Sequence, residues 1–120
     1  MSNTQLDESV AEITELEGYS YQLWEYRVSL CQLTVRARRP DEPGHNVHII
    51  FQDVGYIQMP THWYNGKFEL ASSDELCTVA AKAGRSDVER LSLFKANTPA
   101  ASVYVLCGVA GIVRDVEPLC

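Results

Sequence analysis

Residues 19–37 read YSYQLWEYRVSLCQLTVRA. Tyrosine, tryptophan, valine, leucine and threonine dominate the run, a composition that favours extended chain. The stretch is one long strand or two joined by a bend, and the phase of its apolar residues favours the second version. Tyr26, Val28 and Leu30 share one face, whereas Cys31, Leu33, Val35 and Ala37 share the other. A β-bulge near Leu30 to Gln32 would bring both sets onto one core face, because one inserted residue reverses the alternation.

Toward the C-terminus the sheet pattern continues. Pro40, Asp41, Glu42, Pro43 and Gly44 form a turn-rich loop. Val47, Ile49 and Phe51 then alternate inward, and the strand continues past a kink at Gly55 to Met59, pairing with the first stretch as an antiparallel hairpin. Asn65-Gly66, between aromatic and apolar residues, predicts a two-residue type I′ hairpin. Its register sets Tyr64 opposite Lys67, Trp63 opposite Phe68 and His62 opposite Glu69. Pro60 places this arm at a sheet edge or a break.

Ser72 with Glu75 is a capping box, opening a helix that carries Leu76, Val79, Ala80 and Ala83 and ends at Gly84. Ser86 with Glu89 repeats the device and predicts a second short helix with Val88 and Leu91, although residues 91–96 also fit extended chain. Residues 102–116 are nearly all apolar or small, as in a central strand covered on both faces, with Gly108 and Gly111 as points of bending.

Toward the N-terminus the pattern is helical and anionic. Asp7, Glu8, Glu12, Glu15 and Glu17 fall within a segment that has no Lys or Arg, so nearly all of the net charge of −6 is concentrated there. Leu6, Val10, Ile13 and Leu16 recur at helical spacing, giving an amphipathic helix that starts at Thr4, with Asp7 three residues on, and stops at Gly18. Its apolar stripe requires cover, from the sheet or from a second copy.

The expected architecture is α+β: a mostly antiparallel sheet of four to six strands, with the N-terminal amphipathic helix and one or two short helices before a buried C-terminal strand. A chain of 120 residues, 46% hydrophobic and 22% charged, matches a single domain over residues 1–120 that folds without metal or disulfides. The acidic start is unlike a secretory signal, and the apolar run at 103–113 is too short to span a bilayer, so a cytoplasmic protein with no membrane partner is expected. Cys31, Cys77, Cys107 and Cys120 lack a Cys-x-x-Cys pair and read as reduced thiols, the first three buried in apolar or helical patterns. An isoelectric point near 4.9 argues against a nucleic-acid partner. Arg36, Arg38 and Arg39 at a strand end are the one local basic exception.

Catalytic signatures are scarce. His45, His48 and His62, with Asp53 and Glu69 nearby, raise the idea of a metal site. Positions 45 and 48 point to opposite faces of a strand, however, and no spacing matches a zinc motif, so no metal and no cofactor is expected. The cross-strand pair His62 and Glu69 would orient an imidazole for acid-base work, with Trp63, Tyr64 and Phe68 as pocket walls, but a well-packed aromatic hairpin gives the same pattern. Ser72, Ser73 and Ser86 are caps, and neither a nucleophile elbow nor a phosphate-cradling loop is present. Tyr19, Tyr21 and Tyr26, spaced by even numbers, with Trp24 off that period, read as a half-buried strand face.

The function expected is that of a non-enzymatic interaction or binding protein whose partner is another protein or, as a homodimer, itself. In its sharper form it is an inhibitor or immunity-type protein docking a basic partner through Glu8, Glu12 and Glu15. The alternatives are a small enzyme or ligand-binding domain taking a small molecule around His62, Glu69, Trp63 and Tyr64, and a structural subunit of a larger assembly.

Overall fold

The computed structural model describes residues 10–39, 41, 46–64, 66–98 and 101–116, the last two as backbone. Strands β1 (Ser20–Arg27), β2 (Gln32–Arg38), β3 (Asn46–Gln52), β5 (His62–Tyr64) and β9 (Val109–Val116) form a five-stranded sheet in the order β5-β1-β2-β3-β9. Strands β4 (Tyr56–Gln58), β6 (Glu69–Leu70), β7 (Ser92–Asn97) and β8 (Ser102–Cys107) form a four-stranded sheet in the order β4-β8-β7-β6. All pairings within them are antiparallel.

The inner faces alternate as the pleat requires. Leu33, Val35, Val47, Ile49 and Phe51 of one sheet pack on Phe94, Ala96, Val103, Val105 and Cys107 of the other. Phe51 meets Phe94 at 5.4 Å and Phe68 at 5.7 Å between ring centroids, both edge-on, each pair adding about 0.5–1.5 kcal/mol beyond the area buried. Helix α1 (Ser73–Lys82) lies on the outer side of the four-stranded sheet, where Val79 and Ala80 pack with Leu91, Leu93 and Leu106 in a second cluster. Its Ser72–Glu75 capping box forms in both directions, and Gly84 follows in the left-handed conformation.

The mostly antiparallel architecture with few helices agrees with the expectation; the number and arrangement of strands do not. Instead of four to six strands in one sheet the described residues form nine in two, because the chain changes sheet four times. The supposed kink after Phe51 is one such change: Asp53 adopts φ 54° and the chain passes from β3 into the other sheet. The supposed continuous C-terminal strand is another, divided at Gly108 into β8 and β9. These corners lie side by side, and Gly108 N–H donates to Gln52 O at 3.0 Å. A Cβ at Gly108 would sit 2.8 Å from Asp53 Oδ2.

Residues 19–37 do form two strands, but the bend is a 3-10 turn at Val28–Leu30, closed by Cys31 with φ 48°, so Val28 and Leu30 are exposed rather than core. The bulge falls instead at Trp24, between Leu23 and Glu25. Ser86 and Glu89 yield only a 3-10 turn, Val88–Arg90, ahead of the extended β7. Residues 10–14 are helical. Ile13 and Leu16 are buried in the main core, so the chain itself covers this apolar side. Thr4, Leu6, Asp7 and Glu8 lie outside the described residues, as do Pro40, Glu42, Pro43, Gly44, His45 and Cys120. Cys31 and Cys77 are exposed, contrary to the expected burial, while Cys107 is buried and its thiol pushed up to about 12 by desolvation, then by Asp53.

Candidate functional site

The expected type I′ hairpin is overturned. β5 pairs with β1, setting His62 opposite Gln22, Trp63 opposite Tyr21 and Tyr64 opposite Ser20. β6 belongs to the other sheet, where Glu69 lies opposite Lys95; Asn65 is outside the described residues. Trp63 and Phe68 do meet, edge to face at 5.8 Å, but in the core between the sheets, where burying two large rings outweighs a short ladder. Gly66 permits the crossing, since a Cβ there would stand 2.8 Å from Asn97 O, and its own carbonyl accepts from Trp63 Nε1 at 2.9 Å.

Of the residues predicted to act together, His62 and Tyr64 share the outward side of β5, whereas Trp63 is stacked on Tyr21 inside. Glu69 reaches Lys95 Nζ at 3.8 Å in the opposite sheet. Among the acids, Glu12 accepts from Arg114 Nε at 3.2 Å and Glu17 from Lys67 Nζ at 3.1 Å. Glu12 and Glu15 line a polar cleft of about 290 Å³ with Glu17, Tyr19 and Arg39. Glu8 lies outside the described residues.

The outer face of the five-stranded sheet presents a different arrangement. Its register lines up His62, Gln22, Arg36, His48 and Val113 in one cross-strand row, with Tyr64, Ser20, Arg38 and Asn46 in the next. The bulge in β1 turns Trp24 outward, and the Arg36 guanidinium carbon lies 3.7 Å from the centroid of its ring. On its other side Arg36 Nε donates to His48 Nε2 at 3.0 Å. That bond requires a neutral imidazole with its proton on Nδ1.

Arg36 is 5% exposed and Trp24, stacked on it, 37% exposed. Burial, then the Arg38 charge, holds the proton affinity of Arg36 below normal; burial, then Arg36, holds His48 below the ordinary 6.5. Among the described residues no carboxylate forms an ion pair with Arg36. A covered cation without a counter-charge disfavours folding. Elsewhere the chain avoids that arrangement: Arg85 bridges Asp53 at 3.1 Å and Asp87 at 2.9 Å, and Lys95 holds Glu75 at 3.0 Å.

No described helix covers this face, and Tyr64 and Val113 at its two sides are 56% and 47% exposed. The Trp24, Arg36 and His48 cluster escapes a reading of the sequence because it depends on strand register. Its one sequence signal is that Trp24 falls off the spacing of the neighbouring tyrosines. Among the described residues no set of three His, Cys, Asp or Glu side chains is placed to hold a metal ion: His48 is engaged by Arg36 and Asp53 by Arg85. Nor is any helix among them long and apolar enough to cross a membrane. The chain matches no family model, no curated protein and no solved structure, so its own chemistry is what identifies the site.

Proposed function

We propose that the chain is a non-enzymatic interaction protein that presents the outer face of its five-stranded sheet to a protein partner. One observation supports this reading above others: a sheet face that no described helix covers and that combines exposed Trp24, Tyr64 and Val113 with a covered arginine. Trp, Tyr and Arg dominate the binding free energy of interfaces, and lysine, which interfaces disfavour, is absent from all five strands of this sheet. The face spans roughly 20 Å across its strands. Its breadth suits a protein surface better than a small molecule, which needs a concave site.

A second reading keeps a basic partner at the acidic N-terminal segment, as an inhibitor or immunity-type protein would require. What favours it is the alignment of Glu12, Glu15 and Glu17 along one cleft. Against it stand Arg114 and Lys67, which already neutralise two of these carboxylates.

Comparative capture from a cell extract separates the readings. Immobilised wild type should retain a partner that Trp24→Ser/Val113→Ser loses and that Glu12→Lys/Glu15→Lys keeps, with circular dichroism showing all three folded. Loss confined to the charge-reversal variant would move the site to the acidic segment, and retention by every variant would rule out both.

A further inference from the structure

We infer that the partner of this face is acidic, and that it delivers a carboxylate to the Arg36 and Arg38 pair beside Trp24. The inference rests on the reading of the face as an interaction surface and adds the chemistry of what binds there. In a chain of net charge −6, the outer face carries Arg36 and Arg38 two residues apart on one strand, each lowering the tendency of the surroundings to accept further positive charge. His48 cannot offset them, since it accepts a hydrogen bond as a neutral ring.

Two other part-buried cations of the molecule already have their counter-charges. Arg85 and Lys95 each have two carboxylates within 4 Å. Arg36 has a ring face and an imidazole nitrogen, which orient a guanidinium without neutralising it. An incoming carboxylate supplies a charge that no described carboxylate gives Arg36, and with Nε already donated to His48 the two terminal nitrogens of the planar guanidinium are the ones to take it in parallel hydrogen bonds. Two such arginines are too few for a nucleic-acid backbone, which needs a broad cationic field, whereas the flanking Tyr64, Ile50 and Val113 offer the apolar contact that a protein surface uses.

Isothermal titration with a short glutamate-rich peptide, its glutamine counterpart and inorganic phosphate tests this at low ionic strength. The glutamate peptide should bind saturably and weaken with added salt, its glutamine counterpart should not bind, and Arg36→Gln should cost at least about tenfold in affinity. Arg38→Gln, at an exposed position, provides a second variant if Arg36→Gln fails to fold. Failure of the glutamate peptide to bind, or binding unchanged in both variants, would overturn the inference. So would phosphate competing at concentrations comparable to the peptide, because the site would then be one for small anions. If the face variants lose the captured partner while the glutamate peptide finds no arginine-dependent site, only the acidity is wrong. If capture ignores the face variants, it is the interaction reading that fails.

Discussion

The two sheets of this molecule treat their outer faces in opposite ways. On the four-stranded sheet, α1 buries Leu93 and Leu106, and the two part-buried cations are held by acid: Lys95 by Glu75 and Glu69, Arg85 by Asp53 and Asp87. On the five-stranded sheet no described helix intervenes, and the most covered cation, Arg36, is held by an indole and a neutral imidazole. The same problem, a charge lying against a pleated surface, has been resolved on one side and left open on the other. The contrast locates a working surface better than exposure does, because exposed apolar residues alone are common on folded proteins.

The contrast can be broken most decisively by cavity formation. Leu106→Ala, beneath α1, should reduce unfolding free energy by about 2–5 kcal/mol in denaturant titration, whereas Val113→Ala, half-exposed on the opposite outer face, should cost less than about 0.5 kcal/mol. Comparable losses at both positions would mean that the outer face is packed in solution.

A smaller effect comes from the cations. Arg85→Met should lower Tm clearly, since it strands Asp53 and Asp87, while Arg36→Met should leave Tm unchanged or raise it because it removes a covered charge with no counter-ion among the described residues. A fall of equal size in both variants would show that Arg36 is paid for within the fold.

The smallest effect is in pH dependence. The folded chain holds His48 below its ordinary 6.5, first by burial and then by Arg36, so the unfolded chain binds more protons there. Stability from this group is therefore complete above about pH 6.5 and declines as the pH falls through that value toward the folded one. His48→Gln should remove this slope from denaturant midpoints. Glu75, held low by its bond from Lys95 and by Ser72, should keep its contribution until the pH falls below the ordinary carboxylate value of 4.5.

How far the sequence anticipates this structure depends on whether a signal is local. The Ser72–Glu75 cap and the helix after it were legible because both partners lie within one turn. The antiparallel pairing of β2 with β3 was legible from alternation and an intervening turn. Asn65-Gly66 misled for a specific reason: the turn signal is local, while the destination of Trp63 and Phe68 is set by Tyr21 and Phe94, far away in sequence. The strand corners at Asp53 and Gly108 were hidden similarly, since alternation continues across a change of sheet. Trp24 and Arg36 remained apart in the reading because the bulge that joins them shifts the register by one residue.

The adjoining corners at Asp53 and Gly108 also bear on how the chain is made. β3 pairs with β1's partner β2 on one side and with β9 on the other, and β9 leaves the ribosome after all the other described strands. Until it arrives, the edge of β3 from Val47 to Phe51 has no neighbour on that side, and Gln52 lacks the amide of Gly108 that closes the corner. Because long-range pairings of this kind are slow and leave apolar strand edges open, synthesis halted before residue 109 would release a chain disposed to aggregate rather than a smaller version of the same protein.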